Sequence, residues 1–548
     1  TLTLSGANTY TGTTTISAGT LSISADNNLG SVPSTTTTGS LVFNGGTLSA
    51  STLSLNAKRG IAMTGDSVIN VSTGNTLTYN GIIAGSGNLT KTGDGTLALG
   101  GNSTFSGSTT ISTGTLQIGD GGTSGSLGSG AVINSGTLAY NRSDDVTLSG
   151  DLSGTGSIAQ SGSGTLYLTG TNTYSGATYI NAGTLSIGDG GSTGTFGTGA
   201  VTNNGVLVIN RSNNLTISNV ISGTGSLSKV NSNVLTLSGA NSYSGGTTIS
   251  AGTLALAAND VLYNTGAVTV SGGTLDIAGY SDTVGAVTVS SGSITGTTGV
   301  LTGSSYSLTN SSGTVSIAAI LGGSGNLTKS GAGTATLSKA NSYTGTTTVS
   351  AGTLNVTGTL SDSTAVSVSS GATYIVGAND TIASIAGAGS VTLTGNLTAG
   401  DATNTTFSGV MSSTGNFTKV GSGTLTLSGA NTYTGTTTIS AGTLALSGSG
   451  SIASSTEVAN AGTFSISGTT SGASIVTLSG AGGVTITGKT LTITNGSTTY
   501  SGVMSGASGA LTISGGTQTL SGINTYTGTT TVSVGTLNVT GTLSDSTA

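Results

Sequence analysis

Apolar and polar residues alternate in short runs along the whole chain. In TLTL, Leu2 and Leu4 alternate with threonine; in TTTIS, Thr14 and Ile16 share one face; in TLSI, Leu21 and Ile23 alternate again. A period of two, rich in Thr, Val, Ile and Leu, predicts half-buried strands. Clusters of Gly and Asn between the runs predict turns, because both residues tolerate positive φ. No stretch joins a 3.6-residue apolar period to helix-forming residues, so essentially no α-helix is expected.

The runs are organised around one motif written seven times. It reads NTYTGTTTISAGTL from Asn8 and Asn431, NTYSGATYINAGTL from Asn172, NSYSGGTTISAGTL from Asn241, NSYTGTTTVSAGTL from Asn341 and NTYTGTTTVSVGTL from Asn524. A copy one residue longer, NSTFSGSTTISTGTL, begins at Asn102. The motif aromatics are Tyr10, Phe105, Tyr174, Tyr243, Tyr343, Tyr433 and Tyr526, and their successive intervals are 95, 69, 69, 100, 90 and 93. A common unit of about 23 residues accounts for these intervals as three or four whole coils. Three short strands and three corners fill such a unit. The expected fold is therefore all-β, a right-handed parallel β-helix (β-solenoid) of about 23 coils, its hand following that of parallel crossovers. It is expected as a single continuous solenoid over 1–548, about 110 Å long at the usual strand spacing. The alternative, an antiparallel array of small sandwiches, needs turn signals every 8–12 residues or so.

Departures from the motif locate irregular segments. Asp26 to Thr38 holds the only proline, Pro33, which removes a ladder donor and predicts a corner loop. Lys58-Arg59-Gly60 is expected to be another exposed corner. The stretches that follow Phe105 and Tyr174 align internally: IGDGGTSGS from Ile118 with IGDGGSTGT from Ile187, and NRSDD from Asn141 with NRSNN from Asn210. The run Gly535 to Ala548 repeats Gly352 to Ala365 without change. Both ends fall inside a repeat, so an internal fragment of a longer repeat protein is expected.

Composition narrows the chemistry. Charged residues make up 5% of the chain, where a soluble domain carries roughly 25%. With 97 glycines, this resembles a flexible linker, but regular Leu, Ile and Val supply surface to bury. There is no Cys, hence no disulfide or thiolate site, and no His, hence no imidazole proton shuttle or zinc ligand. A net charge of −6 with scattered cations excludes a nucleic-acid footprint, and no apolar run reaches the length of a membrane-spanning helix.

The block GSGTLTLSGANTYTGTTTISAGTL, preceded by SGVMSSTGNFTKV at Ser408 to Val420, resembles the autotransporter-associated β-strand repeat. The resemblance implies a secreted or surface-exposed bacterial passenger, adhesin-like, with a signal peptide upstream and a membrane β-barrel downstream. It implies no catalysis.

Parallel β-helices also carry polysaccharide lyases and hydrolases, which need clustered carboxylates. This chain has one Glu, Glu457, and fifteen Asp. The nearest cluster, Asp144-Asp145 near Asp151, becomes Asn213-Asn214 and Val220 in its internal copy, which favours a structural turn. Asp66, Asp94, Asp120 and Asp189 sit beside glycine in turns, and none belongs to a calcium-binding nonapeptide. No catalytic, metal or cofactor residue is therefore assigned. The tyrosines Tyr10, Tyr174, Tyr243, Tyr343, Tyr433 and Tyr526 are the candidates for stacking on sugar rings. The competing reading is a corner ring over the core edge with its hydroxyl in water. The motif asparagines are expected to close turns through the backbone. Lys91, Lys229, Lys329 and Lys419 share one slot, 14 residues before the motif aromatic; Gln160 holds that slot in a fifth copy, and Ile513 in the last if a one-residue gap is allowed. That tolerance suggests a solvated face.

The expected function is a non-catalytic structural or adhesive rod, located extracellularly or at the bacterial cell surface. Its expected partners are further copies of itself or host, cell-surface or matrix glycans; the alternative is a polysaccharide-binding or polysaccharide-degrading β-helix.

Overall fold

The computed structural model describes residues 1–544. These form two compact units, Thr1–Gly266 and 267–544, each a stack of parallel β-coils. The last four residues of the duplicated C-terminal run lie outside the described residues. Among the described residues there is no α-helix; the one helical element is a 3-10 turn, Asp26–Leu29.

In the first unit, the strands of one face follow the alternation directly. Leu77, Leu97, Leu116, Leu138 and Ile158 stack in parallel register, each 1% exposed or less. Residues two positions on repeat the pattern, with Tyr79, Leu99 and Ile118 in line. Each inward side chain contributes about 1.5–3 kcal/mol relative to exposure, and the ladder repeats that contribution at every rung. The second unit builds its core likewise: Leu354, Tyr374, Val391 and Met411 stack and are wholly buried.

The coils number about 27, not 23. Leu97 stacks on Leu116, Leu116 on Leu138 and Leu138 on Ile158, so each coil is shorter than the expected unit. The difference arises because motif copies are not separated by whole coils. Thr178–Ile180 stacks toward Val201 and then Ile221. Its counterpart Thr247–Ile249 stacks instead on Leu227, Leu207 and Leu185, the face of the strand that follows Thr178–Ile180. The interval from Tyr174 to Tyr243 thus makes three coils plus one further face, and the motif steps around the solenoid.

Glycine is required where coils touch backbone to backbone. Gly252, in the AGTL corner, has φ +64°, and a Cβ there would lie 2.4 Å from the carbonyl oxygens of Asn231 and Asn233 in the preceding coil. Gly442 repeats this with φ +63°. Both the left-handed backbone and the close approach demand glycine.

Pro33 lies in the loop before strand Thr37–Phe43, as its missing donor predicts. Arg59 departs from expectation. Lys58 is exposed, but Arg59 is 4% exposed, since strand Arg59–Met63 starts with it facing inward. Its guanidinium holds the loop: Nε donates to Asp26 Oδ1 at 2.9 Å, Nη1 to Leu29 O at 2.8 Å and Nη2 to Gly30 O at 2.6 Å.

Candidate functional site: the repeat clamp

Each motif copy closes on the coil before it. Strand Ser226–Lys229 pairs with Thr247–Ile249, and Val234–Leu237 pairs with Thr253–Leu256, so one repeat is two stacked rungs. The same self-pairing joins Asn326–Lys329 to Thr347–Val349 and Phe417–Lys419 to Thr437–Ile439. Three side chains lock each pair.

The first lock is the motif asparagine. Asn431 Oδ1 accepts from Met411 N at 2.9 Å, and its Nδ2 donates to Gly429 O and Ser451 O at 3.0 and 3.1 Å. One amide thereby satisfies backbone groups of three consecutive coils. Asn172, Asn241, Asn341 and Asn524 accept in the same way from Leu152, Ile221, Leu321 and Met504. These bonds tie coil to coil, a longer reach than the turn closure expected.

The second lock is the motif aromatic. Tyr174, Tyr243, Tyr343, Tyr433 and Tyr526 are buried to 1% exposure or less, and Phe105 completely. The hydroxyls do not lie in water: Tyr174, Tyr243 and Tyr343 each share a 2.7 Å hydrogen bond with Thr178, Thr247 and Thr347. Tyr433 and Tyr526 do so at 2.6 Å with Thr437 and Thr530. Burial pushes the phenols of Tyr174, Tyr343, Tyr433 and Tyr526 up from their ordinary pKa, since the charged form loses its hydration. Of the six candidate ligand-binding tyrosines, Tyr10 alone is exposed, at 38%. The ring faces of the other five are covered by protein, so this geometry offers no stacking surface for a sugar.

The third lock corrects the reading of the lysines as a solvated face. Lys91, Lys229 and Lys329 are fully buried and Lys419 is 1% exposed. Lys91 Nζ donates to Thr92 O at 2.9 Å, Gly93 O at 2.6 Å and Thr113 O, one coil on, at 3.4 Å. Lys419 donates to Val420 O at 2.6 Å, Gly421 O at 3.0 Å and Ala441 O at 3.4 Å. Lys229 reaches Asn231 O and Ala251 O, and Lys329 reaches Gly331 O. Burial pulls Lys91 and Lys229 down to about 8, and lowers Lys329 and Lys419 as well. The signal was present in the alternation: each lysine stands two residues after an inward Leu or Phe.

The acidic candidates act as turn fasteners. Asp144 receives Arg142 Nε and Nη2 at 2.8 and 2.6 Å, while Arg142 Nη1 and Nη2 donate to Gly125 O and Thr123 O. Asp145 accepts from Thr165 N at 3.1 Å and Asp151 from Thr171 N at 2.6 Å, each one coil on. Asp120 and Asp189 accept from Gly122 N and Gly191 N within their own turns. Asp66 and Asp94 accept from Asn88 and Thr73 side chains. Among the described residues, no three carboxylates gather as a metal site would require.

The concavities offer little chemistry. The loop around Pro33 borders one of about 310 Å³, lined by Thr11, Thr13, Val32, Pro33, Thr37 and Arg59. Arg59 directs its donors to its own chain, as described above. Another of about 310 Å³ lies over Gly448–Ser451 and Ser471–Ser474, with no charged lining residue. No helix among the described residues is long and apolar enough to cross a membrane.

Fold and clamps together define a class: a parallel β-solenoid assembled from tandem, self-paired repeats whose recurrent polar side chains are turned inward onto the chain itself. Residues 1–23, 89–118, 158–187, 227–256, 327–356, 417–446 and 513–539 match the family described as passenger-associated-transport-repeat. The chain thus carries seven passenger-associated-transport-repeats, a match to an autotransporter passenger repeat protein. The match at 89–118 begins at the strand bearing Lys91 and ends with the strand stacked on its neighbour, so the family unit and the clamp coincide. No curated protein and no solved structure matches the chain.

Proposed function

We propose that this chain is a non-catalytic structural or adhesive part of an autotransporter passenger, working outside the cell or on the bacterial surface in attachment, self-association or spacing. The observation that carries the reading is the use of the repeated residues: motif Asn and Lys side chains bond from coil to coil, and the motif Tyr hydroxyls bond a threonine of their own coil, all inside the solenoid. The residue types left outward are mainly Thr, Ser and Asn, which suit many weak neutral contacts with a second copy or with glycans. Contacts of that kind gain strength by repetition.

The test is a pair of isogenic strains, with and without the chain displayed. Strains carrying it are expected to aggregate or to attach to glycan-coated surfaces more strongly. Equal aggregation and equal attachment would overturn the proposal, as would turnover of a polysaccharide by the purified chain.

A further inference from the structure

One coil of the second unit breaks the asparagine rule. At the position equivalent to Asn341, two coils further along the same edge, stands Asp380. It is 5% exposed, and its Oδ1 accepts from Leu360 N at 3.1 Å, as Asn341 Oδ1 accepts from Leu321 N at 3.1 Å. The other half of the lock differs. Asn341 Nδ2 donates to Lys339 O and to Thr359 O, the carbonyl that also receives its own N–H. Asp380 sends its own N–H to Asn396 O at 2.9 Å in the same manner, but an ionised carboxylate has no proton to send after it. Its Oδ2 instead accepts from the buried Tyr374 hydroxyl at 3.2 Å.

Leu360 N, Thr381 N and the Tyr374 hydroxyl donate to the carboxylate, but no cation offsets its charge. The titratable groups that bear on Asp380 are Tyr374 on the adjoining strand Thr373–Val376, Tyr343 from two coils earlier, and Asp362 from one coil earlier. All are neutral or negative. The coils here are also the shortest in their stacks, the steps from Thr373 to Ser390 and from Asp380 to Leu397. A short coil leaves little slack to bring water to the carboxylate.

We infer that Asp380 is an acid-closed joint: protonated, it donates to the Asn396 carbonyl and completes the lock as asparagine does elsewhere; ionised, it leaves the joint half made and its coils loose. Burial raises the Asp380 carboxyl from 3.8 to about 6, in keeping with that geometry. A raised folded pKa means the folded state holds the proton more tightly than the unfolded chain. Its stabilisation is full below the unfolded value and is lost as pH rises through about 6.

Hydrogen exchange over 355–400, corrected for intrinsic rates, tests this on the full chain at pH 5 and pH 8. The native protein should protect these coils about tenfold better at pH 5, the factor linkage allows between those pH values. Asp380→Asn should abolish the difference and hold the high-protection level at both. Tyr374→Phe, which removes a donor to the ionised form, should move the transition to higher pH. An undiminished pH effect in Asp380→Asn, lower protection than native at pH 8, or no movement in Tyr374→Phe would each overturn the inference.

Discussion

Two repeats of the first unit, 158–187 and 227–256, form the same pair of stacked rungs with different polar residues. In the first, Gln160 Nε2 donates to Gly162 O at 3.0 Å and Gly164 O at 2.8 Å. In the second, Lys229 Nζ occupies that place, meeting Asn231 O two residues on and Ala251 O in the next coil. The neighbouring loops vary in parallel: Arg142 bonds Asp144, whereas Arg211 bonds Asn213 at 3.0 and 2.7 Å. Both guanidiniums hold the loop carbonyls identically, at Gly125 and Gly194. In these two repeats the interior slot holds a donor and the loop an acceptor. Charge is incidental to both. This matters because a buried ammonium costs solvation that a neutral amide does not.

The comparison can be broken most severely by reversing the slot's polarity. Lys229→Glu puts acceptors against carbonyls and should cost roughly 3–5 kcal/mol, the range for an uncompensated buried charge; denaturant unfolding measures it. Next in size is Thr178→Val, which removes the hydrogen bond to the buried Tyr174 hydroxyl and should cost about 0.5–1.5 kcal/mol. Smaller, but more telling, is Lys229→Gln, which copies the sister repeat. It should be nearly neutral at pH 7 and should weaken the pH dependence. With folded Lys91 and Lys229 near 8 and an unfolded value near 10.5, the unfolded chain binds more protons between these limits. Stability therefore rises with pH from about 8 to 10.5, and Lys91→Gln with Lys229→Gln should flatten that rise. The smallest effect belongs to Asp144→Asn, which reproduces the Arg211–Asn213 pairing and should leave the unfolding midpoint unchanged.

Strand placement was legible because Leu2-x-Leu4 and Leu21-x-Ile23 announce which side faces inward. The coil count was not, because equal motif spacing looks like whole coils until the stacking of Thr178 and Thr247 on different faces is seen. Polar residues misled for one physical reason. Lys91 follows Leu89 by two, and Tyr174 precedes Thr178 by four, so position argues for the interior while the charge or hydroxyl argues for water. Position prevails because backbone carbonyls at the corners, and a threonine hydroxyl, are already there as partners. Arg59 belongs with them, its donors taken by Asp26 and the carbonyls of Leu29 and Gly30. The replacement of lysine by Ile513, which is wholly buried, was a second clue pointing inward.

Amine acylation of the native protein, read lysine by lysine by mass spectrometry, reaches the central claim most directly. Of the seven lysines, Lys58 is exposed and Lys339 and Lys489 are half-buried, whereas Lys91, Lys229, Lys329 and Lys419 lie inside the clamps. The first three should be modified promptly, and the four clamp lysines only after denaturation. Modification of all seven at similar rates in the folded protein would contradict the account.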